Sequence, residues 1–132
     1  MSEAGLITTP AQRGAKETMD ALEIAVKAAG MRVFARIDHA AGAAEIGLAL
    51  RPTEVLIFGN ARAGTPLMQK RQLIGIDLPL KVLVWEDEQG KAWLTYNDSR
   101  FLAERHGLGA KADGIIAAMS AGLQKLAQVA SR

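Results

Sequence analysis

The sequence predicts an α+β domain: an antiparallel-rich sheet of about five strands with two long amphipathic helices on one face. Three observations carry this expectation. Apolar residues recur at spacings of three and four near both ends of the chain, and short alternating or wholly apolar runs lie between them. Two of those runs are separated by Asp87-Glu88-Gln89-Gly90, which reads as a hairpin connection.

The elements follow in order. Gly5 to Thr9, with Ile7, Thr8 and Thr9, reads as a first strand that Pro10 either closes or marks as an edge. Lys16 to Ala29 carries Met19, Leu22, Val26 and Ala29 on one face, with Glu17, Asp20, Glu23 and Lys27 mostly turned away, and Gly30 stands where a left-handed helix stop belongs. Arg32 to Asp38 alternates as a half-buried strand, Val33, Ala35 and Ile37 on one side and Arg32, Phe34 and Arg36 on the other. Ala40 to Leu50 reads as a short helix ended by Arg51-Pro52, because a residue before proline is pushed out of the helical region. Val55 to Phe58 is apolar throughout and reads as an interior strand or one covered on both faces. The loop Gly59 to Gly64 leads to a helix with Thr65 as N-cap and Pro66 at its first position. Leu80 to Glu86 and Lys91 to Tyr96 form the hairpin, Asp98 caps a short helix ending at His106-Gly107, and Ala112 to Ala130 is a long final helix.

Composition narrows the function. The 132 residues suit one domain, with no repeat or linker, and 49% hydrophobic residues is enough to drive folding. A net charge of +2, with scattered basic residues, argues against nucleic acid. Without cysteine there is no disulfide, thiolate metal site or cysteine nucleophile. No signal peptide is read at the N-terminus and no apolar run reaches the roughly 20 residues of a membrane span, so a soluble cytoplasmic protein is expected. With only two histidines, far apart, no metal or cofactor is expected.

Several strings then resemble one family together: LRPTEVLIFGN, GTPLM, IDLPLKVLVWED, WLTYND and RHGL, preceded by AGM and VFARIDHAAGAAEIG. In this order they resemble the domain of unknown function 302 family from about the first helix to near the C-terminus. The resemblance implies a compact α+β domain, similar to a TATA-binding-protein-like sheet backed by helices, and a homodimer; it implies no established activity. One departure stands out, since the family pattern has proline after FGN where this chain has Ala61.

Candidate site residues gather at the joints. Asp38-His39 ends a strand, so either residue is a candidate for proton transfer, although Asp38 also stands where a helix N-cap belongs. The loop from Gly59 to Thr65, with Asn60 and Arg62, lets backbone amides approach an anion; its plainer reading is a capped turn. Lys81 shares a strand face with Leu83 and Trp85 and either holds a carboxylate or phosphate, or pairs with Asp77 or Glu86, or extends its head to water. Arg105 and His106 suit the dipole of a helix C-terminus. The expected function is therefore a non-catalytic small-molecule-binding homodimer with a partly apolar pocket, suited to an anionic ligand, rimmed by His39, Asn60, Thr65 and Lys81. The alternatives are a partner-binding dimer without ligand and an acid/base enzyme using Asp38 or His39.

Overall fold

Glycine stops and side-chain caps divide the chain into its elements, which a computed structural model describes over residues 3–132. The strands are Leu6–Pro10 (β1), Arg32–Asp38 (β2), Thr53–Gly59 (β3), Leu80–Glu86 (β4) and Ala92–Asn97 (β5). The α-helices are Ala15–Ala28 (α1), His39–Glu45 (α2), Ala61–Lys70 (α3), Ser99–Arg105 (α4) and Asp113–Ala130 (α5), with a 3₁₀ segment at Gln72–Asp77. The sheet order is β1-β5-β4-β3-β2, and every neighbouring pair is antiparallel. The expected α+β class holds.

Alternate residues of the sheet meet α1 and α5. Leu56 and Phe58, Val82 and Val84, and Ala92, Leu94 and Tyr96 are buried against Met19, Leu22 and Val26 of α1 and Leu123, Leu126 and Ala127 of α5. At about 25 cal/mol per Å² of apolar surface removed from water, this layer is the main source of stability. A second cluster, Leu67, Ile74, Leu108, Ala112, Ile116 and Met119, joins α3 and the 3₁₀ segment to α5. The opposite sheet face, with Val55, Ile57, Leu83, Trp85 and Trp93, is only half-buried.

Three helices end alike. Gly30, Gly47 and Gly107 adopt φ of 79°, 75° and 61°. At each, the amide one residue beyond the glycine reaches the third-last helical carbonyl: Met31 to Val26, Leu48 to Ala43 and Leu108 to Ala103. This corrects the expected helix from Ala40 to Leu50. The left-handed Gly47 stops α2 at Glu45, well before Pro52 can act.

Two further expectations change. The pairing of β2 with β3 slips between Val33 and Ala35, leaving Phe34 as a bulge. Alternation therefore resets: Val33 and Arg36 share the helix-covered face, opposite Phe58 and Leu56, while Ala35 and Ile37 share the open one. Arg36 consequently sits beneath α1, where it bonds Asp20 (2.8 Å), Glu23 (3.1 Å) and Glu54 (2.9 and 3.1 Å). The helix expected from Thr65 begins instead at Ala61. Asn60 is its cap, its side-chain oxygen accepting from the Arg62 amide at 2.9 Å. Thr65 and Pro66 lie inside α3.

Candidate functional site

The Phe58-Gly59-Asn60 sequence ends β3 and starts α3 within one residue, so the first turn of α3 stands directly over the end of the sheet. Leu78 and Pro79, entering β4, close one side, and Met31 and Phe34 of the β2 region close another. The face of α5 completes the wall with Gly114, Ala118 and Gly122. Between these elements lies a cavity of about 700 Å³. A side chain begun at Gly122 meets nothing within 4 Å, so the small residues of α5 leave this space open. Its walls are chiefly apolar, Arg62 is the single charged residue among them, and its volume falls in the range of small-molecule sites.

The structure divides the expected site residues. Asn60 and Thr65 both line the cavity. His39 lies at the other end of the same strand pair, since Asp38 is opposite Glu54 while Arg32 is opposite Gly59. Lys81, opposite Ile57, is on the open face of the sheet and makes no ion pair among the described residues. The four residues do not converge on one cavity.

The roles expected of the joints change with them. Amides of Ala63 and Gly64 already donate to the Asn60 carbonyl at 3.0 and 3.1 Å, so the segment offers no nest of free amides around Gly64 and Thr65. Asp38 caps α2, its carboxylate accepting from the Ala41 amide at 2.9 Å. His39 is exposed and has no side-chain hydrogen bond among the described residues, so nothing orients it for proton transfer.

The Arg105-His106 pair does more than suit a helix end. Both reach Asp77, Arg105 at 3.2 Å to each oxygen and His106 Nε2 at 2.6 Å. A carboxylate only accepts, so Nε2 carries the hydrogen of this bond. His106 is buried, and the pair ties α4 to the 3₁₀ segment whose Gly75 borders the cavity. The sequence signal was present: Asp77 immediately precedes the LPL entry to β4, and a buried polar side chain such as His106 needs a hydrogen-bond partner.

On the open face, Trp85 and Trp93 stack with centroids 6.2 Å apart. Trp85 Nε1 donates to Thr95 Oγ1 at 2.9 Å, and Trp93 Nε1 to Asp87 at 2.8 Å. The Trp93 bond, aided by the Lys91 and Gln89 amides, holds the Asp87 carboxyl below its ordinary value. Among the described residues no cluster of histidine, aspartate and glutamate has the arrangement of a metal site.

Fold and cavity together define an α+β protein with one antiparallel sheet, helices on one face and an apolar cavity at a sheet end. The family is specific. The model described as "Domain of unknown function DUF302" matches residues 7–126, and the chain belongs to that family. A crystal structure of an uncharacterized conserved DUF302 protein from Bacillus stearothermophilus shares the fold, with a TM-score of 0.86, 21% identity and coverage of 98% of this chain and 100% of that one. A protein of Brucella suis biovar 1 named fluoride-specific ion channel FluC 1 is 49% identical over 120 residues, which are 91% of this chain and 47% of that protein. The similarly named FluC 1 protein of Brucella abortus biovar 1 is also 49% identical over 120 residues, 44% of its length. The chain thus spans about half the length of the curated relatives it matches. No described helix is long and apolar enough to cross a membrane.

Proposed function

We propose that the protein is a non-catalytic small-molecule-binding domain whose site is the cavity between α3, the β4 entry and α5. The observation that carries this reading is the cavity itself, about 700 Å³ with chiefly apolar walls and one cation, Arg62, at hand. Such a site suits an amphipathic anion, its apolar body against Met68, Leu78 and Met119 and its carboxylate towards Arg62. Saturated fatty acids from hexanoate to dodecanoate are suitable probes in a thermal-shift titration. A length-dependent rise in Tm is expected, and Gly122→Leu, which fills open space in a helix, should abolish the rise without lowering the Tm of the free protein. Arg62→Ala should weaken the carboxylates and spare the matching alkanols. No stabilisation by any chain length, or an undiminished response in Gly122→Leu, defeats the reading.

A second reading concerns the open sheet face. We propose that a second copy covers it, as the half-buried Trp85, Trp93, Leu83 and Ile57 beside the exposed Ile37 favour. Five strands about 4.8 Å apart and roughly 20 Å long present on the order of 500 Å². Flanking residues bring this towards the about 800 Å² per partner of a standard interface. Light scattering on a size-exclusion column tests it: a dimer is expected, and Leu83→Glu should return a monomer.

The relatives' name speaks of a fluoride channel. In our reading, conduction in those proteins belongs to the half that this chain does not match, and the shared half is an accessory binding domain.

A further inference from the structure

A second cleft lies on the far flank of α5, between that helix and the edge strand β1. It holds about 350 Å³ and is lined by Thr9, Tyr96, Ser120, Gln124 and Gln128 over a floor of Ile7 and Ala127. Positions 118 and 120 differ by about 200° around a helix, so this lining and that of the larger cavity face opposite ways from α5.

The chemistry of the lining is unusual for a groove beside a core. All five polar residues are uncharged, and none of their side-chain polar atoms makes a hydrogen bond to another described residue; only the Gln128 backbone carbonyl accepts one, from the Ser131 hydroxyl. Tyr96 decides the matter. The residue is only 5% exposed, and its ring belongs to the main core. The one sealed and unpartnered side-chain polar atom among the described residues is Ser99 Oγ, so the Tyr96 hydroxyl is open to the cleft. The ring is buried while its hydroxyl reaches the cleft, and a phenylalanine would fill the same core space without presenting that donor and acceptor. Burial, with Asp98 nearby, raises the Tyr96 pKa, so the phenol remains a donor at neutral pH.

We propose that this cleft binds a small neutral polyhydroxylated molecule of about monosaccharide size, with the Tyr96 hydroxyl at its base and Gln124, Gln128, Ser120 and Thr9 around it. Hydroxyls and carboxamides each donate and accept, which matches the mixed hydrogen bonding of vicinal hydroxyl groups. The absence of any charged lining residue, together with the negative charge of Asp98 near Tyr96, turns the site away from anions.

The test is saturation-transfer NMR on the full chain with D-glucose and myo-inositol, with glucuronate and glucosamine as charged controls. Transfer to a neutral probe is expected, with a dissociation constant of about millimolar order, as suits a few exposed hydrogen bonds. Tyr96→Phe and Gln124→Ala should each weaken it roughly three- to tenfold. Gln124 is exposed, so its variant keeps the test valid if Tyr96→Phe disturbs the core. Gly122→Leu should leave it unchanged, separating this cleft from the apolar cavity. No transfer to either neutral probe, equal transfer in the Tyr96→Phe/Gln124→Ala double variant, or stronger binding of a charged control overturns the proposal.

Discussion

Arg36 shows how one side chain is fixed by everything around it. It lies on a strand at the edge of the sheet, yet it satisfies carboxylates from two other elements: Asp20 and Glu23 of α1 and Glu54 of β3. Its own charge is held more firmly than usual, first by Glu54. Arg36, with Lys16 second, holds Asp20 below its ordinary 3.8, and Lys27, with Arg36 second, holds Glu23 below its ordinary 4.5. Replacing it by methionine leaves three carboxylates facing one another. Because the group is partly exposed, the loss should be about 1–2 kcal/mol, less than for a sealed pair. The pH dependence has a definite sign. A carboxyl with a depressed folded pKa is protonated first in the unfolded chain as pH falls, so its contribution is full above 4.5 and fades below it. Urea titrations from pH 7 down to 3 should show wild-type stability falling in that window and a shallower fall in Arg36→Met.

Capping decides where α3 begins, and with it the shape of the cavity. Asn60→Ala should cost about 1 kcal/mol, because it removes an N-cap. Thr65→Val, at a position inside the helix, should cost only a few tenths of that. Denaturant midpoints of the two variants check the assignment, and a larger loss at Thr65 contradicts it. Position 61, where the family pattern carries proline, is the first residue of α3, and proline is favoured there. The sequence thus held a pointer to the true start, but Thr65-Pro66 offered the same chemistry five residues later. Gly47 gives a similar test at the end of α2. An alanine there takes a φ of 75° at a penalty of about 1 kcal/mol, whereas the same change at Gly42, within the helix, should stabilise.

At the scale of the whole molecule, two helices distant in sequence, α1 and α5, lie side by side over the sheet and close the core from one side. Phe58, fully buried at the centre of this layer, is the position most sensitive to truncation. Phe58→Ala should lose about 3–5 kcal/mol, read as a shift of the denaturant midpoint at constant slope. Asp77 performs a long-range task of another kind, joining the 3₁₀ segment to α4 through Arg105 and His106. Asp77→Asn should therefore raise amide exchange in Gln72–Asp77 selectively, leaving the strands protected.

The sequence by itself determined the elements that rest on local chemistry. The repeats of α1 and α5, the hairpin through Gly90, the caps at Asp38 and Asp98 and the stop at Gly30 all follow from spacing and side-chain type, and the α+β class follows from their order. Only the tertiary structure decided the facing of β2 beyond Phe34, because one bulged residue reverses every later side chain and depends on pairing with β3. It alone also separated His39 and Lys81 from Asn60 and Thr65. Strand order and register set which joints share an end of the sheet, and those are properties of residues far apart in the chain that no local pattern records.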